Sequence, residues 1–405
     1  MALNTLPWLN QCFVEKILRK SESDDSIQAI NVFSNPGSNK GDNYMCDIVR
    51  ITAEFSREQE DRMIVEKKSI ILKVSPTSES VRFNWFTQAD FFRTETSMML
   101  DTLDKMNKLL GPKHRLSGKG LYMQNEHPSL LAIEDLMPLG FRMTDLTGLD
   151  LAHSILVLHG LARFHAASVA VCEKEPKQKE MYTRGLFNNQ NPSETKDFFN
   201  RGTKALSEEI VNWPEVKKYS EKIAKLSDHI YQIATDAAKL SENEFNVINH
   251  GDSHLKNMLF KYDNDSNPTD QIFVDFQASV YTSPAVDFLY FLNSSLSLDV
   301  FENKKNVLLN EYFSTLLTTM KQLNCKTKPP TTEELKDAIK RRTSLEMVSS
   351  FAVLPLMLCP KTEAKDFDEM MTTGTWINPG LKSEEFKKFM IKNIPLYDEW
   401  GLLDL

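Results

Sequence analysis

The segment spanning residues 247–276 constrains the fold of this chain more than any other. It reads VINHGDSHLKNMLFKYDNDSNPTDQIFVDF, so Asn257 follows Asp252 by five residues and Asp275 comes at the end of a second apolar run. The strand-like runs NMLFKYD and QIFVDF are separated by the turn-rich NDSNPT, which is typical of a β-hairpin. Such a hairpin brings Asp275 towards Asn257 from the opposite side.

Asp252, Asn257 and Asp275 are the residue types that phosphoryl transfer requires. In that chemistry one Asp orients the attacking hydroxyl and accepts its proton, while an Asn and a second Asp bind Mg²⁺. Mg²⁺ prefers oxygen ligands and usually keeps several waters, so two protein ligands together with ATP are sufficient. Ordinary turn residues would explain Gly251-Asp252 alone, but the complete spacing is more specific. We therefore predict Asp252 as the catalytic residue and Asn257 and Asp275 as magnesium ligands.

Composition narrows the class of protein. The chain has 405 residues, is 41% hydrophobic and carries a net charge of −8, so we expect no general attraction to nucleic acid or anionic lipid.

The N-terminus lacks a signal-peptide pattern, and no run approaches the ~20 apolar residues that span a bilayer. The cysteines form no CxxC pair, and we expect free thiols in the reducing cytoplasm. They are Cys12, Cys46, Cys172, Cys325 and Cys359.

The first third of the chain carries strand patterns. Val49, Ile51, Ala53 and Phe55 alternate with polar residues, and the run SIILKV stops before Pro76. Leu121–Met123 and Leu130–Ile133 indicate two more strands. Residues 21–43 are polar and predict a turn-dominated stretch, and residues 56–62 predict a turn or exposed loop.

The remainder is dominated by helical patterns. Residues 83–110, 149–171 and 215–241 predict helices, and Thr331 with Glu334 forms the signature of a capping box. The chain therefore predicts an α+β fold of two lobes. Residues 1–135 would form an N-terminal lobe with an antiparallel sheet that binds nucleotide, and residues 136–405 a larger, mainly helical lobe that carries catalysis and substrate.

The order of these motifs resembles the choline kinase and aminoglycoside phosphotransferase group, whose members are relatives of the protein kinases. Within that group the chain resembles the insect ecdysteroid kinase-like family from about residue 41 to the C-terminal LYDEWGLL. The supporting pieces are GDNYMCDIVRITAEF, IILKV, FFRTET, LAIEDL, LARFHAAS, NHGDSHLKNMLF and VDFQASVYTSPAVDFLYF. The resemblance implies a protein-kinase-like two-lobe fold with ATP and Mg²⁺ as cofactors.

The resemblance also implies roles for residues of the first lobe. Lys73, near the end of a strand, resembles the lysine that holds the ATP phosphates, and Glu95 resembles its ion-pair partner. Asn43 lies where a phosphate-covering loop is expected, in residues 41–46, although no GxGxxG is present. Glu134 and Leu136 flank the linker between the lobes, where backbone groups would meet adenine.

Other residues are expected to support the site instead of touching substrate. Asp287 resembles a buried aspartate that orders the catalytic loop, and His250 is expected to act similarly. His250 and His254 are four residues apart, but no third ligand with zinc-like spacing is evident. His159 and His165 lie on an apolar helix and are expected to be core histidines with satisfied hydrogen bonds.

The receiving molecule is the least constrained part of the prediction. The resemblance implies a small-molecule alcohol, such as an ecdysteroid or another lipophilic metabolite or xenobiotic. Position 254 is His where many members of the insect family carry Trp. Because this position lies beside the predicted catalytic loop, we expect the difference to alter the pocket that binds the acceptor. Asp275 is followed by Phe-Gln and no Ala-Pro-Glu occurs downstream, which argues against a regulated protein kinase. Choline or aminoglycoside phosphorylation and a catalytically inactive ligand-binding protein stay open as alternatives, as does the oligomeric state.

Overall fold

The computed structural model describes residues 8–37, 45–126, 128–365, 369–370, 376 and 378–405. Asn43 and residues 41–44 of the predicted phosphate-covering loop lie outside these residues. Within the described part, a five-stranded antiparallel sheet occupies the N-terminal region, and the rest is mainly helical with short strand pairs. The predicted α+β class is therefore confirmed. The last strand of the sheet ends at Glu134, one residue before the predicted boundary between the lobes.

The sheet has the spatial order β1-β2-β3-β5-β4 and is antiparallel throughout. Two predictions about the sheet were wrong. The stretch at residues 21–43, predicted to be dominated by turns, contains a strand at residues 28–36. The turn or loop predicted over residues 56–62 is only a two-residue turn at Glu60-Asp61, both with positive φ, between two long strands. The strands are β1 Gln28–Pro36, β2 Asp47–Gln59, β3 Arg62–Val74, β4 Gly120–Gln124 and β5 Leu130–Glu134.

The two faces of the sheet have different surroundings because successive side chains of a strand point to opposite faces. The predicted apolar set that begins with Val49 and Ile51 lies on the face that packs against helix α1, Gln11–Glu22. Ile48 and Arg50, which alternate with them, face the other way and line a cleft. On β3 the same alternation places Lys73 on the cleft face.

The predicted helix over residues 83–110 is divided into shorter elements. Asp90 has a positive φ of 63°, which interrupts the helix without a glycine or proline to signal it. A π-helical turn at Met98–Thr102 follows, and Gly111 ends the last segment with φ 74°. The segments are α2 Val81–Gln88, α3 Phe91–Ser97 and α4 Leu103–Leu110.

Helices of the C-terminal region surround α5, Leu151–Lys174. The predicted helix over residues 215–241 is two helices, α7 and α8, and the capping box at Thr331 and Glu334 is present. The other helices are α6 Ser193–Glu209, α7 Ser220–Leu226, α8 Ile230–Ala238, α9 Ala285–Ser295, α10 Leu298–Asn303, α11 Lys305–Gln322, α12 Thr332–Arg341, α13 Thr343–Val348, α14 Leu354–Met357 and α15 Glu384–Glu399.

Two strand pairs interrupt the helical region and deliver its loops to the cleft. Strand β6, Val247–Asn249, pairs with β9, Val280–Thr282, while β7, Met258–Tyr262, and β8, Pro268–Phe273, form the predicted hairpin. The loop between β6 and β7 carries Asp252 and Asn257. The loop between β8 and β9 carries Asp275.

Helix α5 is long and apolar enough by length and composition to cross a membrane, but 72% of its most apolar window is buried in the fold. Leu158, Leu161 and Phe164 are fully buried and belong to the main hydrophobic core. Helix α11 packs along α5, and β6 and β8 lie against it as well. Its apolar sides are therefore covered by protein.

Replacing the buried Leu161 by Ala should lower the free energy of unfolding by about 2–5 kcal/mol, because the change removes buried apolar area and leaves a cavity. Urea denaturation followed by circular dichroism measures this. Leu240→Ala is the matched control, because that leucine is 50% exposed and should change stability by less than about 0.5 kcal/mol. Equal losses in the two variants would contradict the assignment of α5 to the core.

Candidate active site

Lys73 is held in the cleft by two carboxylates. Its Nζ donates to Glu95 Oε1 at 2.6 Å and Oε2 at 2.7 Å, and to Asp275 Oδ1 at 2.9 Å. The side chains of Lys73 and Glu95 are only 7% and 6% exposed. The structure thus brings together three predicted residues from β3, α3 and the loop after β8.

Charge in this cluster is unbalanced. Burial alone would lower the pKa of Lys73, but the carboxylates of Asp275 and Glu95 outweigh it and raise that pKa above its ordinary value. Lys73 is therefore an ammonium ion. Burial and the nearby charge of Asp275 raise the pKa of Glu95 despite its bond to Lys73. The ammonium ion thus lies beside two carboxylates, of which Glu95 is buried and Asp275 is 14% exposed, and the raised pKa of Glu95 reduces the negative charge of the pair near neutral pH.

The loop that carries Asp252, which is the predicted catalytic loop and is called so below, begins directly after β6 and requires glycine at its second residue. Gly251 has φ 83°, a conformation that side chains rarely adopt. A Cβ at this position would lie 1.9 Å from the carbonyl oxygen of Ala278, a backbone atom. The chain can therefore pass this point only without a side chain.

Asp287 holds the same loop from α9. Its carboxylate accepts the backbone N–H of His250 at 2.6 Å and that of Gly251 at 2.8 Å, and it lies 3.0 Å from His165 Nε2. Burial would raise the pKa of Asp287, but the bonds to His165 and the backbone hold it below its ordinary value. The expected ordering of the loop by Asp287 is thus present in the structure.

The three histidines predicted to have structural roles differ in their burial and contacts. His165 is fully buried, and its other nitrogen lies 2.8 Å from the hydroxyl of Tyr312, so it is a satisfied core histidine. The prediction for His159 was wrong, because its side chain is 25% exposed and it contacts Glu311 at the surface. His250 links the two functional loops, because its Nε2 lies 3.0 Å from the carbonyl oxygen of Val274. Its ring also lies 4.7 Å from that of Phe276.

Asn257 is held against Asp252. Its amide nitrogen donates to the backbone oxygen of Asp252 at 2.9 Å and to Asp252 Oδ2 at 3.1 Å. This orientation leaves the amide oxygen on the opposite edge of the group, where it can act as a ligand. Asn257 also accepts the N–H of Val274 at 3.1 Å, which places it beside the loop that carries Asp275.

Among the predicted site residues that the structure describes, Asp275 alone has unusual backbone geometry. Its φ is 67°, although it is not glycine. Such conformations cost free energy and concentrate at functional sites, where the surrounding structure imposes them. Here the bend turns the carboxylate away from the line of β8 towards Lys73.

A cleft of about 320 Å³ connects these groups to the linker between the sheet and the helices. That volume falls in the range of small-molecule sites. Gly37 lines its entrance, where a Cβ would lie 2.4 Å from Ile48 Cγ2. Its polar end contains Lys73, Glu95, Asn257 and Asp275, and its apolar walls include Ile48, Ile71, Ile133, Leu136, Phe141, Leu259 and Phe273.

The linker residues Glu134 and Leu136 both line the cleft, but the side chain of Glu134 is engaged elsewhere. Its carboxylate pairs with Arg115 and accepts the backbone N–H of Lys119 at 3.0 Å. The carbonyl oxygen of Leu136 accepts the N–H of Leu139 at 3.1 Å. Its side chain packs in a small buried cluster with Phe141.

Sequence reasoning missed Asp135, which lies between the two predicted linker residues. Its carboxylate accepts Arg50 Nε at 2.8 Å and the hydroxyl of Ser69 at 2.6 Å. It thereby fixes the linker to β2 and β3. The signal was available, because a charged residue directly after an apolar strand must find a partner if it is buried.

Sequence reasoning also missed Tyr290 on α9. Its hydroxyl donates to Asp252 Oδ1 at 2.7 Å. Tyr290 lies three residues after Asp287, on the same helix face, so its position beside the catalytic loop follows from the periodicity of α9 once Asp287 is placed.

Replacing Asp287 by Asn should lower the free energy of unfolding at pH 7 by about 3 kcal/mol, because it removes a buried, hydrogen-bonded charge. The folded pKa of Asp287 is depressed below the unfolded value of about 3.9, so its contribution is present above pH 4 and lost below it. Urea denaturation from pH 7 down to pH 3 should show the two proteins converging at the acid end. A difference in stability that grows as the pH falls would contradict this role.

Comparison with known proteins shows the family of the chain. The family model of the ecdysteroid kinase-like family matches residues 40–325, which is more than two thirds of the chain. The matched region includes every residue of the cleft named above except Gly37. A comparison with curated proteins finds no match. Members of the ecdysteroid kinase-like family are kinase-like phosphotransferases, and this chain belongs to that family.

Proposed function

We propose that this protein transfers the γ-phosphoryl group of ATP to an alcohol group of a small molecule. The observation that carries the proposal is the convergence of four predicted residues at one cleft, with Asp252 beside it and hydrogen-bonded to one of them, Asn257. The four residues are Lys73, Glu95, Asn257 and Asp275. An ion-paired lysine, a carboxylate base and two oxygen ligands are the parts that phosphoryl transfer uses. Family membership supports the same reaction class.

Nucleotide would enter with its base against the apolar walls and its phosphates towards Lys73. The carbonyl oxygen of Leu136 already accepts a hydrogen bond from Leu139. The N–H of Glu134 likewise donates to the carbonyl oxygen of Lys119 at 2.9 Å. The carbonyl oxygen of Glu134 and the N–H of Leu136 would therefore meet adenine. The side chain of Glu134, paired with Arg115, would hold the linker and leave adenine to the backbone.

Magnesium fits the polar end of the cleft. Asn257 and Asp275 offer amide and carboxylate oxygens, which are the ligands that Mg²⁺ prefers. When bound, Mg²⁺ would neutralise the charge on the phosphate oxygens.

Asp252 would orient the acceptor hydroxyl and take its proton. The acceptor oxygen forms a bond to the γ-phosphorus while the bond between that phosphorus and the β,γ-bridging oxygen breaks, and ADP leaves. Lys73, fixed by Glu95, would hold the phosphates during transfer. We take a lipophilic alcohol, such as an ecdysteroid or a related metabolite, as the acceptor class because of the family.

We place the protein in the cytoplasm. All five cysteines are free thiols, which suits a reducing compartment. Burial raises the pKa of the Cys172 thiol to about 12, so this thiol is unreactive at neutral pH.

Asp252→Asn should lower kcat about 10²- to 10⁴-fold, because it removes the base while preserving the shape of the side chain. The assay incubates purified protein with Mg-ATP and an acceptor panel of ecdysteroids, other sterol alcohols, choline and an aminoglycoside, with product detected by mass spectrometry. Affinity for ATP and the melting temperature should change little. An undiminished kcat in the variant would contradict the mechanism.

The acceptor panel also separates the alternatives. Phosphorylation of choline or an aminoglycoside, with no product from the sterols, would replace the lipophilic acceptor with a cationic one. Binding of nucleotide with no phosphorylated product from any acceptor would favour a ligand-binding protein without catalytic activity.

Lys73→Met should reduce kcat/KM for ATP at least 100-fold, about 2.7 kcal/mol, because the phosphates lose their buried ammonium partner. Lys68→Met is the matched control on the same strand. Lys68 pairs with Glu22 outside the cleft. Steady-state kinetics at varied ATP concentration should therefore show a loss for position 73 alone, and equal losses would remove Lys73 from the site.

A further inference from the structure

Tyr290 contacts the predicted catalytic base directly, although it belongs to neither functional loop. Its hydroxyl donates to Asp252 Oδ1 at 2.7 Å, and its side chain is buried with 4% of the residue exposed. Tyr290 is absent from the nucleotide cleft's described lining. Asp252 is absent from that lining as well, so Tyr290 contacts Asp252 beside the cleft and not inside it.

The two oxygens of the Asp252 carboxylate are held from two different elements. Oδ1 accepts from Tyr290 on α9, and Oδ2 accepts from the amide nitrogen of Asn257 at 3.1 Å. An ionised carboxylate has about four acceptor positions, so two stay available for an acceptor hydroxyl. One donor on each oxygen fixes the plane of the carboxylate as well as its distance from the loop.

His254 flanks the same oxygen but does not replace the tyrosine. Its Nε2 lies 3.5 Å from Asp252 Oδ1 and 3.4 Å from the Asn257 amide nitrogen, and its ring stacks beside Tyr290 with centroids 6.4 Å apart. Burial lowers the pKa of His254, so its ring is neutral at pH 7. At 3.5 Å this ring contributes little as a donor.

Tyr290 is a donor throughout the working pH range. Burial, together with the neighbouring charge of Asp252, raises its pKa well above the ordinary value. The phenol therefore keeps its proton, and a carboxylate can only accept, so the direction of this hydrogen bond is fixed. Hydrogen bonds of this charged kind are shorter and stronger than neutral ones.

We propose that Tyr290 is a positioning residue for phosphoryl transfer, which sets the orientation of the Asp252 carboxylate towards the acceptor hydroxyl. The inference rests on the proposed function. Its physical basis is that a reacting group displaced by about 1 Å loses rate on the order of 100-fold. Tyr290 touches neither nucleotide nor acceptor in this scheme and works through Asp252.

Tyr290→Phe should lower kcat about 10- to 100-fold, while KM for ATP changes less than about 2-fold. Tyr397→Phe is the matched control. Tyr397 is fully buried and its hydroxyl contacts Ser350 at 3.1 Å, away from the loop. A merely structural role for Tyr290 predicts similar losses of stability in both variants and an unchanged kcat in both, which would overturn the proposal.

A second measurement does not depend on turnover. With carboxyl-¹³C aspartate incorporated, the resonance that disappears in Asp252→Asn identifies Asp252. This resonance should be displaced in Tyr290→Phe at pH 7 and unmoved in Tyr397→Phe. An unmoved resonance in Tyr290→Phe would overturn the contact itself. Absence of turnover in the unsubstituted protein, with the resonance displaced, would instead count against the proposed function alone.

Discussion

The arrangement of the site depends on a single ammonium group that holds two carboxylates from opposite sides of a cleft. Lys73 comes from the sheet, Glu95 from α3 and Asp275 from the loop after β8. Taking such charges out of water is costly, and the cost is recovered only with short, well-aligned contacts. The relative placement of sheet, helix and loop is therefore coupled to one buried ion cluster. Loss of Lys73 would leave both carboxylates without their positive partner.

A second buried charge organises the opposite side of the site. Asp287 accepts two successive backbone N–H groups of the catalytic loop, and His165 supports it from α5. Helix α9 contributes both Asp287 and Tyr290, so one rigid element sets the backbone of the loop and the carboxylate it carries. His250 then joins this loop to the one that bears Asp275. These contacts connect α9, the loop that carries Asp252 and the loop that carries Asp275.

The features predicted well from sequence are those with a local, periodic cause. The alternation from Val49 to Phe55 located β2 and its buried face, and the apolar pair around NDSNPT located the hairpin. The spacing of Asp252, Asn257 and Asp275 placed three residues that the fold does bring to one region.

The features that were predicted wrongly or missed also have physical explanations. Strand β1 lies at the sheet edge and is mostly exposed, so its sequence shows no apolar alternation. The break at Asp90 comes from a positive φ at a residue that rarely adopts one. Glu134, Asp135 and Tyr290 owe their roles to partners far along the chain, which local patterns do not encode. Sequence reasoning therefore predicted which residues lie close together at the site more completely than the contacts that hold them in place.

The close approach of backbone to Gly251 limits which residues can replace it. The space beside its Cα is occupied by the carbonyl oxygen of Ala278, and no rearrangement of side chains can clear it. Any substitution there must rebuild the loop that carries Asp252. Another residue at position 251 of this protein would therefore displace the loop and with it Asp252, even with the aspartates of the site intact.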